Sequence, residues 1–141
     1  MTLTVVTIAG LVVLAALIWL YVRVRSKDLI ENLIARRSAS SRLACRADFV
    51  EGLQRIPVAL SLTNDTIRYE NPDLEATLDL GHIEEVEYDD ETTTGQSVDG
   101  KALRLRSHGH AFEFVLDSGT AQKWQLVLPM RRLDQGTAQA V

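Results

Sequence analysis

Three groups of side chains in this sequence have types and spacings that could do chemistry. His108 and His110 flank a single glycine, and an extended backbone would bring both imidazoles to one side, the start of a metal site. Two nitrogens fall short of the ligand set zinc takes, His82 is distant in sequence, and a turn at Gly109 would spoil the geometry. Solvent-facing turn histidines are the simpler reading. The acidic run Glu84, Glu85, Glu87, Asp89, Asp90 and Glu91 supplies oxygen ligands of the kind calcium takes, without the glycine and ligand spacing of an EF-hand loop. It reads better as a docking patch for a basic partner, or as a solvated acidic edge. Arg104 and Arg106, beside Lys101, form a short positive ridge on the outward phase of one segment, although charge on the wet face of a sheet needs no function of its own.

Other chemistry is not signalled. There is no glycine-rich phosphate loop, nucleophile elbow or HExxH helix, so no catalytic residue, metal or cofactor is expected and the chain is not read as an enzyme. Cys45 is the single cysteine, which excludes an intrachain disulfide and reads as a small buried hydrophobe at the start of a strand. Nucleic acid is not an expected partner for an acidic domain with few aromatics.

The elements that must position these groups follow from how charge is distributed. The 141 residues carry a formal net charge of -4, with 46% hydrophobic and 24% charged side chains. That average conceals three parts: residues 1 to 22 carry no charged side chain, residues 23 to 46 carry 7 basic and 2 acidic ones, and residues 47 to 141 carry 8 basic and 17 acidic ones. Residues 3–22, LTVVTIAGLVVLAALIWLYV, would span roughly 30 Å as a helix, about the thickness of a hydrocarbon core. Only a helix lets a lone segment satisfy its own backbone in lipid, and Trp19 and Tyr21 fall where an interfacial aromatic belt belongs. A cleaved signal peptide would need a basic leader and a shorter apolar run. Arg23, Arg25 and Lys27 follow the span and nothing basic precedes it, so the positive-inside rule places the amino terminus outside and the carboxy-terminal domain in the cytoplasm, at an inner-membrane-type location.

Residues 23–42 read as a basic juxtamembrane segment. Leu29, Ile30, Leu33 and Ile34 recur at the spacing of one apolar helix face, which predicts an amphipathic helix from about Lys27 to Arg37, followed by a link through Ser38-Ala39-Ser40-Ser41. Arg23, Arg25, Lys27, Arg36 and Arg37 are the candidates for contact with anionic lipid, each worth about 1 kcal/mol at the surface. Two other readings stand beside this: the basic residues fix topology alone, or the apolar stripe packs on the acidic domain or a partner helix.

From residue 43 the period shifts to two. Strands are predicted near Leu43–Glu51, Ile56–Leu62, Thr66–Tyr69, Leu74–Leu80, Ile83–Tyr88, Leu103–Arg106 and Phe112–Leu116, with turns at Asn64-Asp65, Asn71-Pro72-Asp73 and Ser107-His108-Gly109 and a bulge or a short turn at Glu84-Glu85. DDETTTGQSVDG, residues 89 to 100, is expected to be an exposed loop. A final helix, capped by Asp117 or Ser118 and stopped by Pro129, places Ala121, Trp124, Val127 and Leu128 on one face, which must cover the open end of a sandwich or barrel. Residues 129–141 are expected to be a flexible tail.

Seven antiparallel strands followed by one amphipathic helix with an inward tryptophan resemble the pleckstrin-homology superfold, in particular its GRAM-like and bacterial PH-like branches. The resemblance covers residues 43–128 and is carried by LTNDTIRYEN (62 to 71), LDLGHIEEVEY (78 to 88) and FEFVLDSGTAQKWQLVL (112 to 128). It implies a seven-stranded antiparallel barrel or sandwich closed by the carboxy-terminal helix. A lipocalin-like small barrel is the structural competitor, and the superfold fixes no function. Many PH domains bind phosphoinositides through basic residues in the first hairpin loop; here that stretch, Glu51 to Arg55, has one basic and one acidic residue and departs from the pattern. The expected role is therefore a non-catalytic interaction or scaffold module held at the lipid bilayer with a protein partner. The alternatives are an anionic-lipid or small-ligand sensor, and an accessory subunit of a membrane complex docking through Ala9-Gly10 and Ala15-Ala16.

Overall fold

The computed structural model describes residues 1–132. The apolar run and the amphipathic stripe are not two helices: one continuous helix, α1, runs Thr2–Ser38, 37 residues and about 55 Å long. The absence of proline and of any glycine after Gly10 explains why nothing interrupts it at the collar. Its first two thirds are exposed on all sides, and it is long and apolar enough to cross a membrane.

Seven strands follow: β1 (Leu43–Glu51), β2 (Gln54–Leu62), β3 (Thr66–Asn71), β4 (Leu74–Asp79), β5 (Ile83–Glu91), β6 (Ser97–Ser107) and β7 (His110–Leu116), with a 3₁₀ turn at Leu80–His82 before β5 and a closing helix α2 (Ser118–Val127). All ladders are antiparallel, in the order β4-β3-β2-β1-β7-β6-β5. β4 and β5 are edges, so the sheet is open and no hydrogen-bonded barrel forms. β1 is the seam, since it pairs with β2 along its whole length but with β7 only at Asp48, Phe49 and Val50.

Turn chemistry fixes the registers. His108 and Gly109, at φ 52 and 77, supply the two left-handed positions that a two-residue type I′ hairpin demands. The expected slip at Glu84-Glu85 is a register shift between Ile83 and Glu85. The 89-to-100 segment differs from expectation: β5 continues to Glu91 and β6 begins at Ser97, leaving a short connection in which Thr92 is buried. A polar composition alone misread it, because its amides are held by side chains, as described below.

The core lies between the two halves of the sheet. Val58, Leu60, Leu62, Ile67 and Leu78 meet Val86, Leu103, Leu105, Phe114 and Leu116, and Trp124 of α2, fully buried, fills the open end. Asp117 caps α2 by accepting the Thr120 amide at 2.7 Å, which holds its carboxyl below the ordinary carboxylate pKa. Gly100 sits so close to the β7–α2 junction that a Cβ there would lie 1.9 Å from the Leu116 carbonyl oxygen.

In β2, Val58, Ala59, Leu60, Ser61 and Leu62 are all buried, although alternate residues face opposite sides of the sheet. The second side is covered by the end of α1. Ile30 is 3% exposed, Leu33 and Ile34 are half-buried, and the small side chains of Ala59 and Ser61 let the helix approach. Arg37 locks the contact: its Nε donates to Glu70 Oε1 at 2.7 Å and its Nη2 to Oε2 at 3.3 Å. Of the readings open for the apolar stripe, packing on the acidic domain is the one found.

Candidate functional site

β5 is an edge strand, and the acidic run lies along it. Its alternation sorts the carboxylates: Glu85, Glu87 and Asp89 share the outer face, opposite Arg106, Arg104 and Ala102 of β6. With Thr92, Thr93 and Ala111 they line an open groove of about 460 Å³.

Arg104 is the centre of this face. Its Nη1 donates to Glu87 at 3.0 Å, its Nη2 to Glu113 at 2.9 Å, and Asp89 stands 3.9 Å away. Burial pulls the guanidinium pKa down, and hydrogen bonds and charge from Glu113 and Glu87 more than offset this, leaving it raised. Glu113, 6% exposed, also accepts the Thr93 amide at 3.1 Å and the Thr93 hydroxyl at 3.1 Å. A buried carboxylate with one cation and two neutral donors is fully satisfied. That accounts for the ordering of the 92–96 turn.

The ridge of Lys101, Arg104 and Arg106 is therefore not a free positive surface. Lys101 pairs with Asp90 and Arg104 with three carboxylates, and Arg106 is left exposed. Residues 129–141 also depart in part from a flexible tail: Arg131 exchanges both backbone hydrogen bonds with Val86, each at 2.8 Å. The Arg131 guanidinium bonds the Ile83 carbonyl oxygen, and Arg132 reaches Glu87 at 3.3 Å. Glu87 thus receives two guanidinium groups, one from β6 and one from the tail. The rest of the expected tail, 133–141, lies outside the described residues.

The histidines pair differently from their sequence spacing. His82 packs against His108 with ring centroids 4.7 Å apart, and among the described residues no cluster of three metal-ligating side chains occurs. Cys45 accepts a hydrogen bond from Trp124 Nε1 at 3.2 Å, and burial pushes its thiol up to about 11. Of the lipid-contact candidates, Arg23, Arg25, Lys27 and Arg36 are exposed, with Arg23 stacked 5.1 Å from the Trp19 ring, whereas Arg37 is committed to Glu70. Of the docking candidates, Glu84, Asp89, Asp90 and Glu91 are exposed and Glu85 and Glu87 half-buried.

Sequence reasoning missed the tail on β5. The signal was available: two adjacent arginines one residue after Pro129, opposite in charge to residues 84 to 91. No family model matches the chain, and no curated protein is similar to it in sequence.

Proposed function

We propose that this chain is a single-pass membrane protein whose sheet domain is a non-catalytic interaction module, PH-like in architecture, held at the cytoplasmic face of an inner membrane. The observation that carries this reading is the continuity of α1. One helix is exposed and apolar over the length of a bilayer and then packs by Ile30, Leu33 and Arg37 on β1, β2 and β3, so a span anchors the domain without a hinge. The strand order and the placement of Trp124 at the open end of the core support the PH-like assignment. The groove supports recognition over catalysis, because Glu87 already holds the guanidinium groups of Arg104 and Arg132, which shows the face taking cationic side chains. Exposed Arg23, Arg25, Lys27 and Arg36 add affinity for anionic headgroups.

The orientation is tested by labelling a cysteine placed at the carboxy terminus with a membrane-impermeant maleimide. Native Cys45 gives little background, since its buried thiol stays neutral at working pH. The new cysteine is expected to react only after the membrane is permeabilised, and reaction in intact cells would place the domain on the other side. Photo-crosslinking from Glu84, with Asn64 as a control position, then tests the partner: a protein adduct confined to Glu84 supports a docking edge. Adducts from neither position, with lipid adducts in the collar, favour a lipid sensor. Adducts confined to residues 9 to 16 favour an accessory subunit.

A further inference from the structure

The outer edge of β5 already holds a strand, but holds it poorly. Val86 exchanges both backbone hydrogen bonds with Arg131, so its amide and carbonyl point away from β6. By the two-residue period of a strand, the backbone groups of Tyr88 face the same way. The antiparallel register puts Pro129 opposite Tyr88, and proline has no N–H to give. Among the described residues the chain's own segment therefore satisfies a single residue pair of the edge, and leaves the Tyr88 position without a backbone donor. It is kept there by charge, Arg132 on Glu87, and by the Arg131 guanidinium on the Ile83 carbonyl. Beside the edge, Leu80, Val86 and Leu128, together with Pro129, Met130 and Arg131 of the segment itself, line a recess of about 300 Å³.

We infer that the β5 edge is an acceptor for an extended basic segment of a partner protein, and that Pro129–Arg132 is a placeholder which such a segment displaces. Backbone pairing along Glu84 to Tyr88 would supply affinity. Alternating side chains would supply selectivity, cationic ones meeting Glu85 and Glu87 and apolar ones taking the place of the displaced segment against Leu80, Val86 and Leu128. Arg132 on Glu87 shows the cationic half of that chemistry, and the placeholder's proline explains why a partner lacking one at that position binds better. This inference rests on the reading of the domain as an interaction module and gives its partner a chemical class.

The test uses the full chain in nanodiscs of zwitterionic lipid, so that the bilayer does not compete for a basic probe. The probe is a fluorescent hexapeptide of alternating arginine and valine. Arg131→Pro removes the tail's paired amide without altering β5. It is expected to bind the probe at least about tenfold more tightly than the unaltered chain, the equivalent of about 1.4 kcal/mol. Hydrogen exchange at the Val86 amide should be slow in the unaltered chain, fast in Arg131→Pro, and slow again once the probe is added. A peptide with proline in place of valine should not bind. Equal probe binding by both chains overturns the placeholder, and equal binding of the proline peptide overturns strand addition in favour of charge alone. A concentration-dependent dimer that Arg131→Pro abolishes assigns the edge to a second copy and overturns the partner segment. Crosslinks from Glu84 that persist while the probe fails leave the interaction module standing and remove only this account of its edge.

Discussion

Glu113 shows what one buried carboxylate does for a surface that is otherwise solvated. It stands on β7, holds Arg104 of β6 and ties down Thr93 in the β5–β6 turn, so three separate segments meet on one side chain. Removing one partner of such a pair leaves the other desolvated and unmatched, which costs more than the pair itself contributes. Glu113→Ala is expected to lower stability by about 2–3 kcal/mol, read from the shift in the urea midpoint at unchanged slope. Glu113→Gln keeps an acceptor for Thr93 and should lose less. Because the same network aligns Arg104 with Glu87, crosslinking at the β5 edge should fall in both variants.

At the scale of elements, the helix–sheet contact sets which piece of this protein can stand alone. A fragment beginning at residue 43 contains every strand, yet it strips the cover from Ala59 and Ser61 and leaves Glu70 without Arg37. It is expected to unfold about 3 kcal/mol more easily than a fragment beginning at residue 27, and to bind a hydrophobic dye, as followed by thermal unfolding and fluorescence. This contact also marks how far the sequence could be read. The strands, their turns, the bulge and the Trp124 helix were legible, because period-two alternation and Asn-Asp, Asn-Pro and His-Gly turns are local signals. The stripe at Leu29, Ile30, Leu33 and Ile34 was equally legible as a stripe, but an apolar face does not say what it will meet. The 89-to-100 segment and the start of the tail, 129 to 132, were misread for the converse reason. Their order comes from Glu113, 20 residues from Thr93, and from Val86, 45 residues from Arg131, and composition carries no trace of such partners.

For the whole molecule, one continuous helix joins the apolar run to the sheet. Arg37 lies fifteen residues beyond Val22, about 22 Å along the axis, so on the proposed membrane reading the height of the domain above the lipid would be set by counting residues. A helix also turns by about 100° per residue, and this gives the α1–sheet contact a second consequence. Whatever face of α1 the proposed span would present in a bilayer, the β5 edge would point along one fixed compass bearing relative to it. Two alanines inserted between Arg25 and Lys27 would raise the domain by only about 3 Å but swing that bearing by about 200°. Seven would raise it by about 10 Å and return the bearing to within about 20°. Crosslinking from Glu84 to a membrane-bound partner is therefore expected to be lost with two added residues and regained with seven. The chain would thus carry its heading, as well as its height, in the number of residues between its span and its sheet.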